Sequence, residues 1–155
     1  MKTAEDIIWD KNKDIVSISF EKTIRQALEL MVKEKIGALL VEKEDEYVGI
    51  WTERDLMRSV LSKGFDVDTA RVGDHMTPKL HKVSHDAAIH ELSDMFLGLF
   101  IRHLLVEKEG EYIGLLSIGD VIRANLIDKD RKFKELNSFV SWEYYENWKW
   151  EKKDR

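Results

Sequence analysis

Two stretches of the 155-residue chain decide its fold, because the second repeats the first. The earlier stretch reads Ile36-Gly-Ala-Leu-Leu-Val-Glu-Lys-Glu-Asp-Glu-Tyr-Val-Gly49, and the later one reads Ile101-Arg-His-Leu-Leu-Val-Glu-Lys-Glu-Gly-Glu-Tyr-Ile-Gly114. Residues 36–58 and 101–123 are identical at 12 of 23 positions, at a constant offset of 65. Self-similarity of this kind is typical of tandem repeats, so we expect two structurally equivalent units.

Each unit is predicted to fold as β-α-β-β-α, an α/β (α+β) arrangement. Apolar residues at spacings of three and four mark an amphipathic helix after the first strand, and a short charged turn joins the next two strands as a hairpin. The predicted strands are 15–18, 38–42 and 47–51 in the first copy and 80–83, 103–107 and 112–116 in the second. A second helix opens at Thr52 or Ser117. Because each small sheet has a face to cover, we expect the two units to pack with pseudo-two-fold symmetry.

The repeat also predicts the domain boundaries. Repeat 1 spans 5–62, a connector 63–78, repeat 2 79–127, and an aromatic-rich tail 128–155. Within the tail, positions 133, 136, 140, 144 and 148 form one helical stripe. This stripe indicates either a helix folded over the repeats or over a dimer partner, or a docking helix for another protein.

Composition excludes several classes of function. The net charge of −5 and the pI of about 5.6 give no general attraction to nucleic acid or to an anionic membrane. The chain has no cysteine, and no apolar run is long enough for a signal core or a membrane span, so we expect a cytoplasmic protein. No arrangement of nucleophile and general base and no metal-ligand spacing is evident, so neither catalysis nor a metal site is expected.

The ordered motifs of each copy resemble a CBS domain, and the pair resembles a Bateman module. The resemblance rests on Thr23-Ile-Arg-Gln-Ala-Leu-Glu-Leu-Met31, Val48-Gly-Ile-Trp-Thr-Glu-Arg-Asp55 and Ile113-Gly-Leu-Leu-Ser-Ile-Gly-Asp120, and covers roughly residues 5–127. It implies binding of an adenosine-containing ligand, such as AMP, ADP or ATP, in clefts between the copies. It further implies a sensor rather than an enzyme, and pairing into a homodimer.

The hydroxyl-x-x-carboxylate motif at the start of each second helix has two alternative roles. It can cap the helix, or it can bind a nucleotide, with the helix N-terminus and hydroxyl on phosphate and the carboxylate on ribose. The resemblance favours nucleotide binding. In the second copy a two-residue turn at 109–110 would place Arg102 opposite Ser117, with His103 beside it, so we expect Arg102, His103, Ser117 and Asp120 to bind the phosphorylated end of the ligand.

The first copy carries the same motif with different neighbours. Thr52 and Asp55 match Ser117 and Asp120, but Gly37 and Ala38 replace the Arg-His pair, and Arg54 stands where the second copy has Gly119. The two sites are therefore expected to be chemically unequal. Apolar walls for the ligand are expected from four residues: Val16, Ile18, Val83 and Ile101.

Two hypotheses of different classes remain open. The first is a stand-alone regulatory CBS pair that binds an adenosine nucleotide, needs no obligatory cofactor, and signals by a packing change to an effector protein, with the tail as a docking element. The second is a ligand-independent dimerisation or adaptor module. A ligand that binds only the folded state raises the melting temperature, so a thermal-shift panel of nucleotides separates the two.

Overall fold

The computed structural model describes residues 1–136, which form six helices and six strands. The elements are α1 (Ala4–Lys11), β1 (Ser17–Ser19), α2 (Ile24–Glu34), β2 (Ala38–Lys43), β3 (Glu46–Thr52), α3 (Glu53–Ser59), α4 (Val72–His75), β4 (Lys82–Ser84), α5 (Ile89–Leu99), β5 (His103–Lys108), β6 (Glu111–Ser117) and α6 (Ile118–Leu136). The orders β1-α2-β2-β3-α3 and β4-α5-β5-β6-α6 confirm the predicted unit and its mixed α/β class. Each opening strand begins two residues later than predicted.

Each repeat builds its own three-stranded sheet, with strand orders β1-β2-β3 and β4-β5-β6. In the first sheet β1 lies parallel to β2, and β2 lies antiparallel to β3. A parallel pair needs a crossover, which α2 provides. The side chain of Thr23 accepts a hydrogen bond from the N–H of Gln26 at 3.2 Å and so caps the start of this helix.

The hairpin of the second repeat combines a tight turn with a bulge. Glu109 and Gly110 have φ values of 51° and 84°. Two successive positive φ values are typical of a type I′ turn, so the predicted turn at 109–110 is confirmed. A bulge between Val106 and Glu107 then shifts the register of the ladder. The first hairpin has the same two features at the equivalent positions, so both hairpins depart from a constant register.

The chain divides into two compact units that do not follow the order of the sequence. Residues 13–82 form one unit, and residues 1–12 together with residues 83–136 form the other. Ile7 of α1, a helix that precedes the first repeat, lies 3% exposed in the core of the second. Val72 of α4, which precedes the second repeat, is fully buried in the core of the first. Each repeat thus completes its core with the segment that leads into the other.

The middle strand of each sheet forms the centre of each core. Residues 39–41 of β2 and residues 104–106 of β5 are almost entirely buried. Because these strands have a neighbour on both sides and apolar side chains on both faces, they read as continuous apolar runs rather than as alternating ones. Trp51 of β3 is fully buried beside the first of them.

The last described helix extends into the predicted tail. α6 runs without a break from Ile118 to Leu136 and so continues nine residues beyond the predicted end of the repeat. The other tail residues, 137–155, lie outside the described residues, and the helix predicted there stays a prediction. Among residues 1–136 the structure has no helix of the length and apolar content that a membrane span requires.

Candidate ligand-binding site

The junction of β6 and α6 holds Ser117 and Asp120 in a reciprocal cap. The N–H of Asp120 donates to Ser117 Oγ at 3.2 Å, and the N–H of Ser117 donates to Asp120 Oδ2 at 2.8 Å. These two bonds satisfy donors that the start of a helix otherwise leaves unpaired. The capping role of the motif is therefore present, and it orients the Asp120 carboxylate at the entrance to the helix.

A lysine from α1 also binds the Asp120 carboxylate. Lys11 Nζ donates to Asp120 Oδ2 at 2.7 Å and to the carbonyl oxygen of Leu115 at 2.9 Å. The Lys11 and Asp120 side chains are 26% and 14% exposed, so water screens the pair only partly. Burial raises the pKa of Asp120, but the hydrogen bonds from Lys11 and from the backbone of Ser117 outweigh it, and the pKa lies below its usual value. Asp120 is therefore ionised at neutral pH.

The residue opposite Ser117 in the ladder is His103, and the prediction of Arg102 at that place was wrong. A constant register from the turn would pair residues whose numbers sum to 219. Past the bulge, however, Val106 pairs with Gly114, and every pair beyond it is displaced by one residue. The imidazole, rather than the guanidinium, therefore shares a position in the ladder with Ser117.

Arg102 instead lies just before β5, and it is exposed. Its carbonyl oxygen accepts a hydrogen bond from the N–H of Ile118, the first residue of α6, at 3.0 Å. The backbone of Arg102 is thus fixed at the start of α6, which keeps its positive charge in the neighbourhood of Ser117. Arginine in this place suits an anion, since its planar fork matches phosphate oxygens.

His103 is an uncharged member of the cluster. Burial lowers its pKa to about 4, and the positive charges of Lys11 and Arg102 act in the same direction, against the opposing effect of Asp120. The imidazole is therefore neutral at physiological pH. It can donate one hydrogen bond and accept another, but it adds no positive charge for a phosphate.

The first repeat closes around its own aspartate. Asp55 Oδ2 accepts from the N–H of Thr52 at 2.9 Å and from Thr52 Oγ1 at 3.0 Å. Its Oδ1 accepts from Thr77 Oγ1 at 2.7 Å and from the Arg58 guanidinium at 3.2 Å. Asp55 is only 4% exposed. Both oxygens of Asp55 are therefore engaged inside the protein, and the two equivalent aspartates have different partners.

The other predicted site residues belong to two different units. Arg54 is exposed on α3, next to the buried Asp55. Ile18 is 8% exposed in the core of the unit formed by residues 13–82, with Val16 packed against that core. Val83 and Ile101 are partly buried against the core of the other unit. Each apolar residue thus already packs within its own unit.

Sequence reasoning missed Lys11 and Thr77, the two side chains that reach the aspartates from a distance. Lys11 lies 109 positions from its partner, and Thr77 lies 22 positions from its partner. The offset of 65 matches Lys11 with Met76, a chemically unrelated residue, so comparison of the repeats contains no signal for it. The available signal was Thr3-Ala-Glu-Asp6, a capping box that predicts a helix over the following residues.

Comparison with known proteins agrees with this architecture. The family model for the CBS domain matches residues 4–62 and 72–126. A mitochondrial CBS domain-containing protein of Arabidopsis thaliana, CBSX3, is 30% identical over 151 residues, which cover 92% of this chain and 73% of that protein.

Two solved structures are also similar. A CBS-domain containing protein from Agrobacterium tumefaciens is 31% identical with a TM-score of 0.75, over 80% of this chain and 99% of that one. A putative signal-transduction protein with CBS domains from Burkholderia ambifaria is 32% identical with a TM-score of 0.77, over 82% and 96%. Two matches to the family model, in register with the internal repeat, place the chain in the CBS domain family, as a pair of regulatory type.

Proposed function

We propose that this CBS pair binds an adenosine nucleotide of the AMP, ADP or ATP class, with its ribose and phosphate at the second repeat. Binding then changes how the protein packs, and the change is passed to another protein. No catalytic activity and no obligatory cofactor form part of this proposal, and we place the protein in the cytoplasm. The CBS resemblance implies the ligand class, and the contrast between the two aspartates supports the second repeat, which the sequence already favoured.

The observation that carries the proposal is the contrast between the two aspartates. Asp55 has both carboxylate oxygens engaged and is 4% exposed, whereas the contacts of Asp120 converge on Oδ2 and its side chain is 14% exposed. A carboxylate that is ionised and reachable can accept the hydroxyls of a ribose. A buried carboxylate with both oxygens engaged first has to lose hydrogen bonds within the protein. The first-repeat site of Thr52, Asp55 and Arg54 is therefore the weaker of the two candidates.

The remaining groups suit the phosphate end of the ligand. Ser117 lies at the N-terminus of the 19-residue helix α6, where the helix dipole favours an anion. Arg102 is exposed and fixed by its backbone at the same point. Because His103 is neutral there, Arg102 supplies the positive charge that we assign to phosphate, with His103 as an uncharged hydrogen-bonding neighbour.

Calorimetric titration with AMP and ATP tests this assignment. Asp120→Asn keeps the shape of the side chain and removes its charge, and Arg102→Ala removes the proposed phosphate contact. Arg123→Ala is the matched control, because Arg123 is an exposed arginine of α6, the helix that carries Asp120. We expect both site variants to bind at least about tenfold more weakly and the control to bind like wild type. Absence of binding to wild type at millimolar concentration would exclude the nucleotide function.

A second function, self-association, has its own structural support. Large apolar side chains are exposed on and just after α3, where Met57 is 62% and Leu61 is 85% exposed. The equivalent positions on α6, Ile122 and Leu126, are 53% and 57% exposed. Exposed apolar clusters of this kind are typical of interaction surfaces, and a homodimer would cover them.

Light scattering on the protein after size-exclusion chromatography measures this association. We expect a dimer for wild type, and monomers for Leu61→Asp and Leu126→Asp with unchanged circular dichroism. Glu53→Gln, an exposed change on α3, is the control. A monomeric wild type at high micromolar concentration would contradict the dimer. The docking of an effector protein on the tail stays a prediction.

A further inference from the structure

The Lys11–Asp120 contact occupies the carboxylate to which the proposed function assigns the ribose. Asp120 Oδ2 already accepts from Lys11 Nζ at 2.7 Å and from the N–H of Ser117 at 2.8 Å. The two adjacent hydroxyls of a ribose need acceptor positions on the same carboxylate. A ligand that uses both oxygens therefore competes with Lys11, the partner that arrives from outside the repeat, rather than with the local backbone cap.

The helix that carries Lys11 is held differently at its two ends. At the N-terminal end, the backbone N–H groups of Ala4 and Glu5 donate to the carbonyl oxygens of Ala87 and His85, each at 2.9 Å. Near the C-terminal end, Lys11 donates to Leu115 and Asp120 of the second repeat, and Ile8 packs against the core of that repeat. The loss of this one side chain's contacts therefore acts mainly on the C-terminal end of α1.

The chemistry of lysine makes this contact easier to exchange than its counterpart in the first repeat. Thr77 has a short side chain and donates to an aspartate that is 4% exposed. Lys11 has a flexible four-carbon stem and is 26% exposed, so its ammonium group can return to water without movement of a strand.

We propose that Lys11 is a ligand-displaced clasp, which holds the C-terminal end of α1 on Asp120 in the ligand-free protein and is released when ribose hydroxyls bind Asp120. The inference rests on the proposed nucleotide function and names how that site is regulated. The chain continues from Lys11 through Asn12 directly into the unit formed by residues 13–82. Release of the clasp therefore loosens the segment that links the site to the first repeat, which is a physical route for a ligand signal.

Titration of Lys11→Met with adenosine tests the competition. Adenosine offers ribose hydroxyls without a phosphate that Lys11 could bind, so removal of the lysine charge has no second effect on the ligand. We expect Lys11→Met to bind adenosine roughly three- to tenfold more tightly than wild type, because the competitor is gone. Lys11→Arg keeps a competing cation and should stay close to wild type. Lys13→Met removes an exposed charge two positions away and is the matched control.

Amide hydrogen exchange of residues 8–12 gives the second measurement. Saturating AMP should speed this exchange in wild type, whereas Lys11→Met should exchange fast with or without AMP. Adenosine binding to Lys11→Met that is no tighter than to wild type, or AMP that slows exchange in α1, would overturn the clasp while the nucleotide site stands. If AMP fails to bind wild type at all, the proposed function fails and the clasp fails with it.

Discussion

Lowering the pH from 7 to 5 is expected to destabilise the protein through His103. The pKa of this imidazole is lowered from 6.5 to about 4, first by burial and then by the charges of Lys11 and Arg102. Between these two values the unfolded chain binds a proton that the folded chain excludes. The free energy of unfolding therefore falls as the pH drops below 6.5, and the loss is complete only below about pH 4.

The size of the effect follows from the two pKa values. The full interval corresponds to about 3 kcal/mol, at about 1.4 kcal/mol per pKa unit. At pH 5 the unfolded imidazole is mostly protonated and the folded one is mostly neutral, so about 2 kcal/mol of stability is lost relative to pH 7. The Asp120 pKa lies below its usual value of 3.8, so the stabilisation from this carboxylate is present above that pH and is lost only at lower pH. A change in stability between pH 7 and pH 5 therefore reports on His103 and not on Asp120.

Urea unfolding followed by circular dichroism at pH 7, 6 and 5 measures this loss. His103→Gln keeps a polar side chain that does not titrate, so between pH 7 and 5 wild type should lose about 2 kcal/mol more than the variant does. His90→Gln, a change at an exposed position of α5, is the control and should follow wild type. Parallel pH profiles for wild type and His103→Gln would refute the assignment of a partly buried, neutral imidazole.

Four further substitutions test a close backbone contact, a hydrogen bond to Asp55 and two glycine conformations by urea unfolding. Gly49→Ala would place a Cβ 2.6 Å from the carbonyl oxygen of Thr77 and should cost about 1–3 kcal/mol, and a cost near zero would contradict this close approach. Thr77→Val removes the 2.7 Å bond to Asp55 and should cost about 1–3 kcal/mol; an unchanged stability would mean that Asp55 does not need this donor. Gly110→Ala should cost about 1–2 kcal/mol, because the residue has a φ of 84° in open space. Gly98→Ala, in helix α5 with nothing near its Cβ, should instead stabilise by up to about 1 kcal/mol, and equal effects of the two alanines would contradict the role of backbone conformation.

The internal repeat predicts the order of the elements well. An irregularity that occurs at the same place in both copies, however, leaves no trace in their alignment. The bulge between Val106 and Glu107 has its counterpart between Val41 and Glu42, at the same offset of 65. The alignment of the copies therefore needs no gap, although each ladder shifts by one residue. This is why the hairpin turn was predicted correctly while the residue opposite Ser117 was not.

Only the contacts between residues close in the sequence could be predicted at the candidate site. The bond from Asp120 N–H to Ser117 Oγ joins residues three positions apart, and residue types at that spacing suffice to propose it. The contact of Lys11 with Asp120 depends instead on where α1 packs, and that follows from the apolar face that carries Ile7. A prediction of α1 from its capping box would have identified the helix, but not which repeat it completes.

The two copies of one motif acquire different properties because their last partner comes from outside the repeat. A neutral hydroxyl from Thr77 completes the shell of Asp55, which is then 4% exposed and satisfied. A charged amine from Lys11 pairs with Asp120, which stays ionised and is 14% exposed. A hydroxyl is replaced with difficulty in a buried site, whereas a hydrated ammonium is exchanged readily against another partner. Divergence of the leading segments, rather than of the motif itself, therefore leaves one aspartate buried and the other partly exposed.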